Sequence, residues 1–261
     1  MKDDTLRKVS LSRDLQHALD NREFILEYQP VVDLNSTQIV GAEALLRWQH
    51  PQKGKIYPND FIPLAEDNNL ILPLGEWVLE TVLDNFQGEA HPALNDLKIS
   101  INLSGQQLGD DHHFRNISNQ IKISKIDPAR IQLEITETSI FENVGQTTHE
   151  LKRLESLGVK LAIDDFGTGY SSLSYMEQFP NDAIKIDIPF IKRIKHRKIH
   201  LPILKGIISI AHEMGLDVIA EGVETQAQVD YLQDQGCNLM QGYYFYKPVS
   251  LSELIETIEA Q

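Results

Sequence analysis

One stretch in the second half of the chain combines an apolar run, an acidic pair and a turn: Leu161-Ala162-Ile163-Asp164-Asp165-Phe166-Gly167-Thr168-Gly169-Tyr170-Ser171-Ser172-Leu173. The apolar run is typical of a buried strand, and the serines after the glycine-rich turn suit a helix cap. Adjacent carboxylates at a strand end repel each other unless a cation lies between them, and a divalent metal with oxygen ligands is the usual one. A solvated turn is the plainer interpretation, since Asp and Gly are common turn residues.

Composition bounds the class of protein. The chain has 261 residues, 41% of them hydrophobic, which is enough for one α/β barrel domain over residues 1–261 with a core at about 10–260. The net charge is -14, from 24 Lys and Arg against 38 Asp and Glu. A chain this acidic is a poor binder of polymeric nucleic acid or of an anionic membrane surface. A small phosphorylated substrate stays possible, because bound metals reverse the local field.

Cysteine content and the start of the chain indicate a reducing compartment. Cys237 is the one cysteine in the sequence, so an intrachain disulfide and a cysteine zinc site are excluded. Met1 leads into charged residues instead of an apolar signal core. The apolar region from Ile203 to Ala211 is far short of the ~20 residues that span a bilayer. We expect a cytoplasmic protein whose chain makes no membrane contact.

The periodicity predicts a hairpin followed by alternating strands and helices. A helix over 8–21 precedes two strands, Phe24 to Asp33 and Ile39 to Trp48, joined antiparallel by a short polar loop. A loop from Pro51 to Pro58 and helices at 59–67 and 75–86 come next. Six strand-then-helix units follow, with strands at 97–103, 131–136, 160–165, 183–188, 217–221 and 239–242 and helices at 111–122, 145–157, 171–178, 200–214, 225–235 and 251–259. Eight strands predict an α/β (β/α)8 TIM-like barrel. The rival is an open doubly wound sheet, but no Gly-x-Gly-x-x-Gly follows a strand.

Polar residues recur near the carboxyl ends of these strands: Glu43, Asn102, Glu134, Asp164, Lys185, Glu221 and Gln241. Period-2 alternation places each on one face of its strand, with apolar neighbours on the other face. Barrel enzymes keep their active sites at this end. Any single one of these residues is explained by solvation, but together they predict a convergent acidic site. Oxygen ligands without His or Cys favour Mg²⁺ or Mn²⁺ over Zn²⁺, and two metals would account for so many carboxylates.

Histidines and serines elsewhere are weaker candidates. We expect His112 and His113 to be solvated in a polar loop, and the pair His196 and His200 to lie on an exposed basic face. A capping role suits Ser171-Ser172 better than a nucleophilic one.

The motifs resemble those of a known family, the EAL-type cyclic di-GMP phosphodiesterases. The matching segments, in order, are Tyr28-Gln29-Pro30, Glu43-Ala44-Leu45-Leu46-Arg47-Trp48, Ile101-Asn102-Leu103-Ser104, Glu134-Ile135-Thr136-Glu137, the stretch from Asp164 through Leu173, Ile184-Lys185-Ile186-Asp187, Ala220-Glu221-Gly222-Val223-Glu224-Thr225 and Gln241-Gly242-Tyr243. The match covers about residues 10–260. Asn69, where a glycine is commoner, and Ile188, where a polar residue is usual, depart from the pattern.

The resemblance implies a barrel whose first strand is antiparallel to its neighbours. It also implies metal-dependent hydrolysis of cyclic di-GMP to linear pGpG in bacterial second-messenger signalling, and a homodimer. Two ions of Mg²⁺ or Mn²⁺ are implied, held by Glu43, Asn102, Glu134, Asp164, Asp165 and Glu221, with Asp164 shared between them.

The resemblance also assigns roles. Catalysis would fall to Glu43, Lys185, Glu221, Asp165 and Glu137. Lys185 would position the attacking water, and Glu221 would act as general base or as a metal-linked orienter. Substrate would be bound by Gln29, Arg47, Asp187 and Gln241. Glu137 would tether the loop after Asp165, which Gly167, Thr168, Gly169 and Glu224 would support.

Two other functions fit the same residues. One is a cyclic di-GMP receptor or protein-interaction domain with negligible turnover, although an idle site would retain strong carboxylate repulsion. The other is an unrelated barrel phosphohydrolase, which only the motif series disfavours.

Overall fold

The strands form one sheet that closes on itself. The structure is a computed structural model, and it describes residues 2–87, 91–142, 144–167 and 179–261. The predicted helix at 171–178, the serine cap within it, and Thr168 and Gly169 lie outside the described residues. In chain order the strands are β1 (Phe24–Asp33), β2 (Gln38–His50), β3 (Gly54–Ile56), β4 (Lys98–Asn102), β5 (Ile131–Thr136), β6 (Lys160–Phe166), β7 (Ala183–Ile186), β8 (Asp217–Ala220) and β9 (Leu239–Met240).

The sheet order is β1-β9-β8-β7-β6-β5-β4-β2, and the pairing of β1 with β2 closes the barrel. β1 is antiparallel to both β2 and β9, whereas the other neighbours around the barrel are parallel. This confirms the barrel with an antiparallel first strand and excludes the open sheet. The loop predicted from Pro51 to Pro58 is corrected, because it contains β3, which pairs antiparallel with β2.

The helices lie on the outside of this barrel. They are α1 (Lys2–Ala18), α2 (Pro58–Asp67), α3 (Ile71–Phe86), α4 (Gly105–Gly109), α5 (Asp111–Ile123), α6 (Glu137–Glu142), α7 (Val144–Glu155), α8 (Ile188–Ile191), α9 (Pro202–Glu213), α10 (Gln226–Asp234) and α11 (Leu251–Glu259). The short helices α4, α6 and α8 were not predicted, because one or two turns carry no readable 3.6-residue period. Among the described residues, no helix is both long enough and apolar enough to cross a membrane.

Two predictions near helix starts were wrong. The strand at 183–188 ends at Ile186, and Asp187 is the N-cap residue of α8. The His112-His113 pair lies in the first turn of α5 instead of a loop, and His113 is 2% exposed. Asp110 is the helix cap, and its Oδ1 accepts from His113 N.

The two faces of the strands have opposite environments, as the alternation predicts. Ile184 and Ile186 are fully buried in the main core, where the helices pack. Part of the inner face one layer below the mouth is apolar, where Val31, Ala162, Ala183 and Ile219 pack together as a separate cluster. Each of the last three precedes a polar site residue by two positions. The polar residues at the ends of β6, β7 and β8 therefore stand on an apolar floor inside the barrel.

Aromatic packing where α2 meets the start of β1 supports the barrel from outside. Phe61 is fully buried, with its ring 5.8 Å from that of Phe24 and 5.9 Å from that of Trp48. We expect Phe61→Ala to lower the free energy of unfolding by about 3–5 kcal/mol, because it leaves a cavity that rigid neighbours fill poorly. Urea unfolding followed by tryptophan fluorescence measures the change.

The matched control is Ile203→Ala on α9, whose side chain is 60% exposed. It is expected to change the free energy of unfolding by less than about 0.5 kcal/mol. Equal losses in the two variants would contradict the packing described here.

Candidate active site

One buried lysine lies at the centre of the barrel mouth. Lys185 Nζ is 3.0 Å from Glu43 Oε2, 2.6 Å from Glu134 Oε2, 2.6 Å from Glu221 Oε1 and 3.7 Å from Asp164 Oδ1. Those four carboxylates are called the acidic cluster below. They come from four strand ends that the sheet order brings around one axis. The convergence inferred from strand ends alone is thus present in the structure.

Amide side chains complete the ring around Glu43. Asn102 Nδ2 donates to Glu43 Oε1 at 2.8 Å, and Gln241 Nε2 donates to Glu43 Oε2 at 2.8 Å. Gln241 Nε2 also donates to Gln29 Oε1 at 3.1 Å, which links β9 and β1 to the same carboxylate. Every strand for which the sequence predicts a polar end therefore contributes to one group of side chains joined by ion pairs and hydrogen bonds.

Sequence reasoning missed a residue below this ring. Gln132 is buried, and its Nε2 donates to Glu134 Oε1 at 3.3 Å and to Ser100 Oγ at 3.0 Å. The signal was available, because Gln132 precedes Glu134 by two positions on β5 and alternation puts both on the inner face. Gln132 orients the carboxylate of Glu134 from beneath.

The acidic pair that ends β6 is shaped by an irregular backbone. The pairing register between β6 and β7 shifts after Ile163 and resumes at Phe166. Asp165 has φ 54°, in the left-handed region, and its N–H donates to Asp164 Oδ1 at 2.8 Å. Strict alternation would send successive side chains to opposite faces. Because of the bulge, Asp164 and Asp165 both line the cavity beside β4 described below. Strained backbone of this kind clusters at functional sites.

The charges of the site do not balance. Although burial opposes its charge, the acidic cluster raises the pKa of Lys185 well above its usual value. Burial raises the pKa of Glu134 to about 8 and that of Glu221 well above its usual range, against the attraction of Lys185. Burial and the neighbouring Asp164 raise the pKa of Asp165 to about 6. The pKa of Glu43 is lowered: burial opposes this, but Lys185 and hydrogen bonds outweigh it. One ammonium is too little positive charge for these carboxylates.

The donor set fits a divalent cation. The acidic cluster, Asn102 and Asp165 offer the hard oxygen atoms that Mg²⁺ and Mn²⁺ prefer. Gln241 Oε1 is buried at this site and has no hydrogen-bond partner among the described residues. In the described ranges, no three His, Cys, Asp or Glu side chains already surround a single metal position. The acidic cluster is turned toward Lys185, so cation binding requires its carboxylates to rotate.

Two cavities flank the acidic cluster. One, of about 310 Å³, lies on the side of β8 and β9 and includes Ile188, Lys192 and Tyr243 in its wall. The other, of about 560 Å³, lies between β4 and the helices α2 and α3. Leu45 and Asp164 line both. An elongated ligand lying across the mouth would fill both cavities and pass directly over the acidic cluster.

The remaining predicted residues are distributed around this mouth. Gln29 lines the smaller cavity, as does Glu224, which is exposed. Arg47 is buried, and its Nε donates to Glu27 Oε2 at 2.8 Å while Tyr57 stacks 5.4 Å from the guanidinium. The pKa of Asp187 is raised by burial and by the nearby Asp164. The functional roles given to these four residues stay predictions.

A buried carboxylate holds the backbone just after β6. Glu137 is 1% exposed and its Oε2 accepts from Gly167 N at 2.8 Å. Gly167 has φ 96°, and a Cβ there would stand 2.8 Å from the ring of Phe190, so glycine is required. The contact sets the direction in which the chain leaves Asp165.

We expect Glu137→Ala to lower turnover by about 10- to 100-fold. The substitution removes one hydrogen bond to a charged acceptor, and that hydrogen bond orients Asp165. Initial rates of phosphodiester hydrolysis measure the turnover. The control is Glu155→Ala in an exposed position on α7. An unchanged rate for Glu137→Ala would contradict the tethering role.

Fold and site together define the class: an α/β barrel with an acidic, oxygen-ligand site at the carboxyl ends of its strands. A model of the EAL domain matches residues 12–248. The chain belongs to the EAL domain family, which confirms the resemblance of its motifs.

Relatives and solved structures agree with this assignment. The bifunctional diguanylate cyclase/cyclic di-GMP phosphodiesterase MucR of Pseudomonas aeruginosa is 36% identical over 96% of this chain and 37% of its own length. The cyclic di-GMP phosphodiesterase NbdA of the same organism is 36% identical over 97% of this chain and 32% of its own. The chain spans about a third of the length of such relatives.

Among solved structures, the PaMucR phosphodiesterase in complex with c-di-GMP has a TM-score of 0.86 at 37% identity, covering 94% of this chain and 99% of that chain. The EAL enzyme Bd1971 in its cGMP-bound form has a TM-score of 0.89 at 33% identity, covering 98% of this chain and 71% of that chain.

Proposed function

We propose that this chain hydrolyses cyclic di-GMP to linear pGpG and that the reaction depends on divalent metal, Mg²⁺ or Mn²⁺. Water adds across one P–O3′ bond, so its oxygen joins phosphorus and the 3′ oxygen leaves as a hydroxyl. The observation that carries the proposal is the acidic cluster around Lys185, between two cavities at the barrel mouth. The family membership and the c-di-GMP complex of the similar PaMucR structure support the substrate.

The cation sites would be built from Glu43, Asn102, Glu134, Asp164, Asp165 and Glu221, with Asp164 shared because it lines both cavities. Two divalent ions supply an acidified water and Lewis-acid stabilisation of the phosphoryl oxygens when bound. Without them the acidic cluster would repel an anionic phosphodiester.

The protein's own groups supply positioning and proton transfer. Lys185 brings a fixed positive charge to the point where negative charge would develop on phosphorus, and its burial strengthens the effect of that charge. Glu221 lies 2.6 Å from Lys185 Nζ on the wall of the smaller cavity and is the candidate acceptor for the proton of the attacking water. Gln241 donates hydrogen bonds to both Glu43 and Gln29 and so fixes the positions of these two side chains relative to each other. A guanidinium at Arg47 suits a substrate phosphate.

The test is incubation of the purified chain with cyclic di-GMP and either Mg²⁺ or Mn²⁺, with chelator as control and separation of the nucleotides by liquid chromatography. We expect pGpG with at least one of the metals and none with chelator. Binding of cyclic di-GMP without pGpG under every condition would overturn the enzyme and leave a receptor.

Assembly as a homodimer, action in the cytoplasm, and a single domain over residues 1–261 also stay proposals. The homodimer rests on the family resemblance, whereas the compartment and the single domain rest on composition and length. A solution mass by light scattering distinguishes a dimer from a 29.7 kDa monomer.

A further inference from the structure

A buried chain of hydrogen bonds runs from α3 to the backbone just after Asn102. Glu76 Oε1 is 3.0 Å from His113 Nδ1, and His113 Nε2 is 3.0 Å from Gln107 Nε2. Gln107 Oε1 in turn accepts from Ser104 N at 2.8 Å. His113 and Gln107 are 2% and 3% exposed. We call these three side chains, Glu76, His113 and Gln107, the relay.

The backbone N–H of Ser104, at one end of the relay, fixes the direction of every hydrogen bond in it. The backbone N–H of Ser104 can only donate, so the amide oxygen of Gln107 must face it. The amide nitrogen of Gln107 then faces His113 Nε2, which must carry a lone pair instead of a proton. The proton of the neutral imidazole therefore sits on Nδ1, where it is donated to Glu76. This arrangement satisfies each buried polar atom in turn and requires His113 to be neutral.

Gln107 packs closely against α3. A Cβ on Gly75 would stand 1.7 Å from Gln107 Nε2, so α3 has a glycine where the amide crosses it. On the other side of the same segment, Leu103 N donates to the carbonyl of Glu134 at 2.8 Å. The backbone from Asn102 to Ser104 is thus held by β5 and by the relay. Asn102 contacts Glu43 in the site.

We propose that Glu76, His113 and Gln107 are positioning residues that fix the Asn102 side chain for cation binding, and that they do so only while His113 is neutral. The proposal rests on the proposed function through the ligand role given to Asn102.

Ser104 and Gln107 form a capping box at the start of α4, because the Ser104 side chain also accepts from Gln107 N. Thr225 and Gln228 form another capping box at the start of α10, and the comparison shows what is particular to the one at Ser104. Gln228 accepts from the backbone N–H groups of Glu224 and Thr225 after β8, and its Nε2 donates to the carbonyl of Ile191. A carbonyl accepts at any pH, whereas an imidazole accepts only when neutral. The box at Ser104 is therefore the one of these two that responds to protons.

The charged and titratable groups around His113 set the pH at which His113 becomes protonated. Glu76 faces it from α3, and Asp110 and His112 lie beside it on α5. Burial lowers the pKa of His113 and outweighs the opposing effect of Glu76. When the pH falls far enough to protonate Nε2, two donors face each other and Gln107 has to turn. Ser104 N then loses its acceptor, and the loss reaches Asn102.

The experiment compares His113→Gln, which keeps an acceptor at the ε position at every pH, with His113→Leu, which has none. Mn²⁺ binding is measured by electron paramagnetic resonance, and amide hydrogen exchange is measured at Ser104. At pH 8 we expect His113→Leu to weaken Mn²⁺ binding by roughly tenfold and to speed exchange at Ser104, and His113→Gln to stay within about twofold of the unchanged chain. Below pH 6.5, which is the ordinary pKa of histidine, the Mn²⁺ affinity of the unchanged chain should fall more steeply with decreasing pH than that of His113→Gln.

Controls separate the relay from simple packing and from the proposed function. His112→Gln, exposed on the same helix, should behave as the unchanged chain. Equal Mn²⁺ binding and equal pH profiles in the unchanged chain and His113→Gln, with Ser104 exchange alike in all variants, would overturn the relay. If His113→Leu does not fold, the pH comparison of the unchanged chain with His113→Gln decides alone. Failure of the proposed function appears separately, as Mn²⁺ binding without pGpG in the unchanged chain.

Discussion

Replacement of Lys185 by alanine is expected to lower the turnover of cyclic di-GMP by about 10³-fold while the chain stays folded. The ammonium is 1% exposed and lies within 3.0 Å of carboxylate oxygens from three different strands. In the proposed mechanism, alanine removes the positive charge that faces the scissile phosphate, and it removes the ion-pair partner of Glu221. Single donors of this kind contribute about 10²–10³ in kcat, and a lysine with several roles belongs at the upper end.

The same variant should still bind Mn²⁺, because every carboxylate of the acidic cluster remains. This separates a role in turnover from a role in metal binding. Lys205→Ala on α9, an exposed lysine, is the matched control and should keep its full rate. Turnover above about a tenth of normal in Lys185→Ala would contradict the role assigned to this residue, provided circular dichroism shows both variants folded.

The second large effect distinguishes the two aspartates that end β6. Asp164→Asn is expected to remove both bound Mn²⁺ ions and all measurable turnover, whereas Asp165→Asn should remove one ion and leave residual binding. The reason is placement: Asp164 lies 3.7 Å from Lys185 Nζ and lines both cavities, while Asp165 lines only the cavity beside β4. Asparagine keeps the volume and removes the charge, so the comparison concerns charge alone.

Mn²⁺ stoichiometry is measured by titration with paramagnetic detection of free ion. The expected number is two ions for the unchanged chain, none for Asp164→Asn and one for Asp165→Asn. A reversed order, with Asp165→Asn losing both ions and Asp164→Asn losing one, would show that the shared ligand was assigned to the wrong residue. Asp182→Asn, which removes an ion pair with Lys160 at the far end of β6, serves as control.

Long periodic elements and strand ends were predictable from the sequence. β1 has the bounds that its alternation indicates, and the short polar loop after it gives the antiparallel hairpin. Polar residues at successive strand ends identified the mouth because closure of a parallel barrel brings those ends together whatever the loops do. Asn69, which stands where a glycine is commoner, has φ 55°, in the left-handed region that glycine adopts most readily.

The rest depended on contacts that no local pattern encodes. The alternation put Lys185 on the inner face, but it could not show that Nζ lies between four carboxylates contributed by distant segments. The bulge at Asp165 breaks the period on which strand prediction relies. His113 was misassigned because its hydrogen-bond partners, Glu76 and Gln107, are 37 and 6 positions away in the sequence. Tertiary packing decided each of these cases.

Hydrolysis of cyclic di-GMP in ¹⁸O-enriched water, with Mg²⁺ or Mn²⁺ present and the product examined by mass spectrometry, tests the central claim most directly. If water attacks phosphorus at the acidic cluster, pGpG should carry one ¹⁸O atom on its 5′-phosphate and none elsewhere. Cyclic di-GMP that stays intact while bound to the chain would contradict hydrolysis, and pGpG without label in the phosphate would contradict direct attack by water.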